Sequence, residues 1–400
     1  MIPSLLELLP DQLAWQGRAA DVALAGLPGV AAVCGFQDAD GRTILVGFTQ
    51  HLRRWALSRL ADPQRAARGK ADLAEISRRI VWRRVHCGLE ARWVYYRVVR
   101  GLHPRDYRKR LTFGPAWFLR RSCAADVPEI EVSSRVYLDP GEFVGPWPTE
   151  TDARECLHVL WDLFDLCRYP EEVRRTPGGR RCAYADMGRC DAPCDGSVPL
   201  ATYAQRAAAA WRFASGGIKE WLSEADGRMR DAARKQNFER AALIKRQREA
   251  AARWSTRWAA AVYSANALTL ALAIPATRRA ACKLLLFDRG DFDDGPVVVN
   301  RALPVKGAAW FAGAAERSAN REFQADAGAA MRRAEQTWLL AQFLHHREAT
   351  RALVMRIGAN SKEEFADRLG EFALQRSRKR DSGFTNRPTD MPTPPNASPA

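Results

Sequence analysis

The spacing of apolar positions changes several times along the chain. Residues 28–33 and 43–47 are two β-rich runs with Asp38-Ala39-Asp40-Gly41 between them, the pattern of a hairpin. From 50 to 61 the period becomes helical, with Leu52, Trp55, Ala56 and Leu60 on one face. Ile80-Val81-Trp82 predicts a third strand, and residues 89–101 a second helix. Two short β runs follow, around Trp117-Phe118-Leu119 and over 132–137. Gly145-Pro146-Trp147-Pro148 reads as a rigid turn. Thr149 or Thr151 then caps a helix bearing Cys156, Leu157, Leu160, Phe164 and Leu166. Residues 167–196 are loop-like, and 200–255 are strongly helical. Strand character returns at 268–274, 282–287 and 296–299, and helices are predicted over 326–346 and 361–376. The tail from Ser382 carries five prolines and predicts disorder. The fold class is α/β (α+β), in small layers where helices cover each sheet face.

Composition adds a partner class. The 400 residues suit two or three domains, and 47% are apolar, enough for real cores. Lys and Arg total 62 against 46 Asp and Glu, a formal charge of +16 that favours an anionic partner, nucleic acid first. The longest apolar candidate, 259–273, is broken by Ser264 and Asn266, so no membrane span is expected. The start carries Glu7 and no basic leader, which reads as cytoplasmic. In a reducing compartment the nine cysteines are thiols or metal ligands, not a disulfide framework. Arginines crowd the first 125 residues, with aromatic residues interleaved. Arg53, Arg54, Arg97, Arg100 and Arg105 are the expected DNA contacts, while Trp93, Tyr96 and Val99 at helical spacing belong to a core. The six histidines form no metal or triad motif; His345-His346 reads as surface or capping.

Four cysteines, Cys167, Cys182, Cys190 and Cys194, are separated by 14, 7 and 3 residues. Four thiolates complete a tetrahedral zinc site or hold an iron-sulfur cluster, and spacing alone leaves both open beside four unrelated thiols. Gly178-Gly179 and Gly188 give the backbone room to bend, and Arg181 and Arg189 would offset thiolate charge. Phe164-Asp165-Leu166-Cys167, Arg181-Cys182 and Gly188-Arg189-Cys190-Asp191-Ala192-Pro193-Cys194 together resemble the cysteine region of the UvrC family, the nuclease subunit of bacterial nucleotide-excision repair. There the cysteines follow a Gly-Pro-aromatic-Pro-like turn and a helix. The resemblance implies a four-iron four-sulfur centre, ahead of zinc.

Met229-Arg230-Asp231-Ala232-Ala233 and Gln236-Asn237-Phe238-Glu239-Arg240-Ala241-Ala242-Leu243-Ile244 place two apolar stripes around a turn at Asn237. A hairpin this short has little core of its own, so its apolar face needs a partner, either the same chain or another. The segment resembles the UVR motif, with Phe238-Glu239 and Ala241-Ala242 at its Phe-Glu and Ala-Ala pairs. That implies docking on a UvrB-like protein through Met229, Phe238, Glu239, Ala241 and Ala242. The late aspartate of the motif is Arg246 here.

By order along the chain, the amino-terminal region resembles the GIY-YIG nuclease domain of UvrC. Pro28-Gly29-Val30-Ala31 stands for Pro-Gly-Val-Tyr, Leu45-Val46-Gly47-Phe48 for Tyr-Val-Gly-Lys, and Leu52-Arg53 and His103-Pro104-Arg105 for later landmarks. Such chemistry needs a hydroxyl or activated water for attack, a cation for the phosphoryl charge and a glutamate for a divalent metal. The family's two tyrosines fall at Ala31 and Leu45, its lysine at Phe48, its arginine at Trp55 and its glutamate at Tyr95. Arg53 and Arg54 lie near the arginine position and Glu90 about one and a half turns before the glutamate position, with Arg53 and Glu90 the possible residual groups. Incision is therefore expected to be lost, and magnesium belongs only to an active nuclease.

The expected organisation is a degenerate GIY-YIG-like domain over 25–112 and a β segment, linker helix and cysteine region over 113–200. A helical region over 201–256 contains the hairpin at about 220–254; a small α/β region covers 257–378 and the tail 379–400. The second, RNase H-like nuclease and the helix-hairpin-helix pair of UvrC are expected to be absent. Asp288, Asp291, Asp293 and Asp294 read as one turn, not a two-metal site. The function implied is a repair protein that binds DNA and a UvrB-type partner. The alternatives are an active structure-specific endonuclease like single-incision UvrC homologues, or a cluster-based redox sensor.

Overall fold

The computed structural model describes residues 5–16, 24–60, 72–122, 129–258, 262–323, 326–358 and 362–381. The proline-rich tail and Cys123 lie outside them. Among the described residues, three four-stranded antiparallel sheets form the framework. The first contains β1 (Asp11–Ala14), β2 (Ala32–Gln37), β3 (Thr43–Thr49) and β4 (Arg79–Arg84), in the order β1-β4-β2-β3. Asp38 closes the β2–β3 turn by accepting the amides of Asp40 and Arg42, so the hairpin forms as the pattern predicts. Successive residues of β2 face opposite cores. Ala32, Cys34 and Phe36 pack on α1 (Leu52–Leu60), while Ala31 and Val33 face α2 (Gly88–Leu102).

The second sheet has the order β6-β5-β7-β8, from β5 (Trp117–Arg121), β6 (Ile130–Ser133), β7 (Glu142–Trp147) and β8 (Tyr263–Ser264). Here two expectations are corrected. The β run over 132–137 stops at Ser133: the Leu138 and Asp139 amides return to the Arg135 carbonyl at 3.0 and 3.1 Å, closing a turn with Tyr137 at φ 64° that the Arg135–Asp139 pair accompanies. Gly145-Pro146-Trp147 lies within β7 rather than in a turn. Gly145 is required there, since a Cβ would meet the Phe118 ring at 2.5 Å, and Trp147 is fully buried.

Thr149 caps α3 (Glu150–Phe164) by accepting the Asp152 amide. That helix ends at Asp165 in the left-handed conformation, so Leu166 lies beyond it. With α4 (Leu200–Ala214), α5 (Ile218–Arg234) and α6 (Phe238–Trp258), it builds a core around Phe164, Phe213, Trp211 and Trp254.

The third sheet, β11-β10-β9-β12, comprises β9 (Thr269–Pro275), β10 (Ala281–Asp288), β11 (Asp291–Val299) and β12 (Leu353–Arg356). The near-continuous apolar run of β10 is buried on both faces. One face packs under α7 (Ala308–Ala319) and α9 (Lys362–Asp381). The other joins α8 (Ala327–Leu344) and α2 in a core that also holds Ala31, Val33 and Phe48 of the first sheet. This corrects two boundaries. The amino-terminal sheet begins before residue 25, with β1. The region 257–378 is not separate from it: the two share one core across α2. No helix among the described residues is long and apolar enough to cross a membrane.

Candidate functional site

The first sheet and its two helices carry the positions where the sequence lacks nuclease groups, divided between the sheet's two faces. Phe48, on β3, meets Tyr95, on α2, edge to face with ring centroids 5.4 Å apart. Trp55 stacks on Phe36 at 5.0 Å, and Gly47 lies beneath its ring. Ala31 and Phe48 are buried in the core, and Leu45 packs on the α1 side. Burial pushes the Tyr95 hydroxyl above its ordinary pKa. Ala31, Phe48 and Tyr95 thus line the α2 side of the sheet and Leu45 and Trp55 its α1 side; on neither side do these positions present a cation or a metal ligand.

The two residual candidates are occupied elsewhere. Arg53 donates to the Leu27 carbonyl at 2.7 Å. Glu90 is 1% exposed, accepts the His86 amide at 2.6 Å and pairs with Lys283 of β10 at 3.1 Å. Lys283 in turn reaches Asp294 at 2.6 Å and the Gly295 carbonyl at 2.7 Å. Glu90 is thus an anchor between α2 and the third sheet, not a surface metal ligand, which corrects the sequence reading.

The same holds for part of the predicted DNA face. Arg100 lies 3.8 Å from the buried Glu335 of α8 and over the rings of Tyr96 and Tyr107. Arg97 is half-buried over Trp93 at 5.2 Å. Trp93 and Tyr96 are core residues as expected, bonded to Gln336 at 2.9 Å and Glu335 at 2.6 Å. Arg54 and Arg105 remain exposed, as does Arg53 apart from its carbonyl bond. The sequence could not separate these groups, because their acceptors lie some 240 residues away.

The cysteine loop packs beneath α3. Cys167, Cys190 and Cys194 are buried; Cys182 is half-buried at the start of a helical turn, Ala183–Asp186. The Cys167 thiol donates to the Tyr169 carbonyl at 3.5 Å; its contact with Cys190, together with burial, raises the Cys167 thiol, and the same contact lowers Cys190. Cys194 lies within electrostatic reach of both. Amides of Tyr169 and Ala192 bond the Cys167 and Cys190 sulfurs, the former at 3.4 Å. Gly179 admits close backbone approach, since a Cβ there would lie 2.3 Å from the Glu172 carbonyl oxygen. Among the described residues no three metal-ligating side chains converge into a metal-binding group.

The donor chemistry nevertheless fits a thiolate-ligated metal. Four thiols lie within one loop, two sulfurs accept backbone amides, and a buried guanidinium nitrogen, NH1 of Arg168, has no partner. Arg168 was not singled out by the spacing of the motif, although its place directly after Cys167 was the available signal. Arg181, expected to offset thiolate charge, is exposed and pairs instead with Asp186 and Asp195.

The helical hairpin forms as predicted. Gln236 turns at φ 58° and Asn237 accepts the Arg240 amide at 3.0 Å. Ala225, Ala232 and Ile244 close its inner face, with Met229 and Ala241 beside them. Phe238 is 69% exposed, and Glu239 and Ala242 also face outward. Met229 and Ala241 therefore serve the hairpin itself, while Phe238 stays open.

In the third sheet, Asp288 and Asp291 flank the Arg289-Gly290 turn, with Gly290 at φ 106°. Asp293 and Asp294 lie further up β11 and pair with Arg321 and Lys283. His345 caps α8 and contacts the Pro146 carbonyl at 3.2 Å.

Comparison with known proteins bears most directly on the middle of the chain. Residues 115–213 match the UvrC/Cho excinuclease middle domain. The chain is 29% identical over 275 residues to the UvrABC system protein C of Stenotrophomonas maltophilia, covering 68% of this chain and 43% of that relative. It is 33% identical over 127 residues to that of Geotalea daltonii, covering 32% and 20%. It is 27% identical over 218 residues to that of Syntrophomonas wolfei, covering 53% and 35%. The matches thus span less than half of each relative's length. No solved structure matches.

Proposed function

The chain belongs to the UvrC family, and on that premise we propose that it is a nucleotide-excision-repair protein that binds DNA and a UvrB-type partner but no longer incises. The observation that carries this reading is the contact of Phe48 with Tyr95, at the two positions where the resemblance calls for a lysine and a metal-binding glutamate. Removing one group that stabilises a transition state costs about 10²–10³ in rate. Here apolar or aromatic side chains stand at several such positions at once. Exposed arginines such as Arg53, Arg54 and Arg105 support DNA contact through phosphates, with little sequence preference. The exposed Phe238 at the hairpin turn supports docking of a second helical hairpin.

Cys167, Cys182, Cys190 and Cys194 would hold an iron-sulfur cluster, with zinc as the alternative. When bound, the metal centre would fasten the loop at 167–194 beneath α3, and a cluster would add a one-electron redox couple. The chain's own residues supply buried sulfurs and amide donors to them.

The test is incision of a lesion-bearing duplex by the purified protein with magnesium or manganese, in the presence of a UvrB-type partner. The expected result is DNA binding without nicks. Metal-dependent nicking that copurifies with the protein would overturn the loss of incision.

A further inference from the structure

Four segments far apart in the chain meet at one end of the third sheet, where it joins the first. The turn after β9 is tied to the end of β4, because the Thr277 amide donates to the His86 carbonyl at 2.7 Å. The Asn300 amide donates to the Ala280 carbonyl at 2.8 Å and brings in the end of β11. β12 begins opposite Ala273 of β9, so Arg351, just ahead of it, lies at the same end. Glu348, three residues earlier, fastens that stretch to the start of α2 through the Gly88 amide at 2.8 Å. These segments carry five arginines, Arg84, Arg278, Arg279, Arg301 and Arg351, and all five are exposed. None of them forms an ion pair or a side-chain hydrogen bond among the described residues.

The carboxylates close by are already engaged. Glu348 pairs with Arg92 at 3.2 Å, while Glu90 and Asp294 close on Lys283 at 3.1 and 2.6 Å. Asp288 and Asp291 sit at the opposite end of the sheet, at the β10–β11 turn. Charge of one sign gathered without neutralisation repels itself and lowers stability, so its retention points to an anion from outside the chain. The four segments carry no Phe, Trp or Tyr, the residues on which single-stranded nucleic acid stacks. They carry no exposed large apolar side chain either, which seating on a lipid surface needs. A duplex, with a phosphate charge about every 1.7 Å along its axis, meets several arginines at once.

We propose that this end of the third sheet is a contact surface for duplex DNA, gripping the phosphate backbone through Arg84, Arg278, Arg279, Arg301 and Arg351. The proposal rests on the reading of the chain as a DNA-binding protein and gives that binding a place. The surface is composite: it exists only where the first and third sheets dock. It is separate from Arg53 and Arg54, because α1 covers the opposite face of the first sheet from α2.

The test measures binding of a fluorescent duplex over a range of salt concentrations. It compares wild type, the triple variant Arg278→Gln/Arg279→Gln/Arg301→Gln, the same three positions changed to Lys, and Arg53→Gln/Arg54→Gln. The glutamine triple variant should bind at least about tenfold more weakly and lose roughly one unit of salt slope per arginine removed. The lysine triple variant should keep most of the slope, since phosphate contact needs charge more than a fork. The thermal midpoint should stay at the wild-type value, because the replaced side chains are exposed.

Wild-type affinity and salt slope in the glutamine triple variant would overturn the proposal. So would an equal loss in the lysine variant, which would make these residues packing elements. Tighter binding to the single strand, or to phosphatidylserine vesicles, would overturn the assignment to duplex DNA. If wild type binds no duplex at all, the DNA-binding reading fails first. If wild type binds and only Arg53→Gln/Arg54→Gln weakens it, this surface alone fails, so the two failures are distinguishable.

Discussion

His86 shows how a single residue between the layers acquires a pH dependence. It sits between β4 and α2, with its amide bonded to Glu90 and its carbonyl accepting the Thr277 amide. Burial lowers its pKa from 6.5 to about 4, helped by the positive charges of Lys283, Arg84 and Arg83 and opposed by Asp294. The native imidazole is thus neutral where the unfolded one is already protonated. Between about pH 6.5 and 4 the unfolded state binds more protons, so this residue's share of stability falls as pH falls, and above 6.5 the effect vanishes. Glu90, raised chiefly by burial, acts in the opposite sense, so total stability alone does not isolate the histidine. Urea midpoints of wild type and His86→Gln should separate the two effects. The wild-type curve should drop more steeply than the variant's between pH 6.5 and 4, and parallel curves would remove the assignment.

At the scale of the element, periodicity made most of the helices and the amino-terminal hairpin legible. Leu52, Ala56 and Leu60 are buried on one face of α1 because a 3.6-residue repeat has only one way to meet a sheet. Legibility failed where a long-range contact or a turn overrode local preference. Val132 and Val136 suit a strand, yet the chain turns after Ser133, where the Leu138 and Asp139 amides return to the Arg135 carbonyl. The hairpin of α5 and α6 shows what a stripe leaves undecided, for it cannot say which apolar side chains serve the pair and which remain open. Ile244, 5% exposed, closes the hairpin, whereas Phe238 faces solvent. Ile244→Ala should therefore destabilise by about 2 kcal/mol or more through a cavity, seen as a lower denaturant midpoint. Phe238→Ala should change stability by no more than about 0.5 kcal/mol yet weaken a UvrB-type partner at least about tenfold, measured by titration calorimetry. Equal binding by Phe238→Ala would remove this ring from the docking surface.

Across the whole molecule the decisive fact is that α2 is shared. One flank packs on the first sheet through Tyr95 and Phe48, and the other meets the third sheet and α8 through Trp93 and Phe292. The sequence shows α2 as an apolar helix and β10 as a run buried on both faces, but neither pattern names its partner. The polar bonds are just as distant. Glu335 of α8 receives the hydroxyls of Tyr96 and Tyr107 and the guanidinium of Arg108, while Glu348 reaches the Gly88 amide at 2.8 Å and Arg92 at 3.2 Å. This tie explains why Arg100, which reads as part of a nucleic-acid face, turns inward, since its acceptor Glu335 is supplied by the carboxy-terminal layer. It also governs how the chain divides. A fragment ending at residue 112 would expose Trp93, Val94 and Val98 and leave Tyr96, Arg92 and Arg100 without their acceptors, losing both apolar burial and satisfied polar groups. Such a fragment should bind a hydrophobic dye and melt without a sharp transition. The intact chain should unfold residues 5–112 and 262–358 together, with one midpoint by tryptophan fluorescence and circular dichroism. Hydrogen exchange on the intact protein gives the second arm: amides of α2 and β10 should share the slowest class, because opening either strips the other. A fragment that melts cooperatively at the temperature of the intact chain would show that the amino-terminal layer folds on its own and that the shared core is only a docking surface.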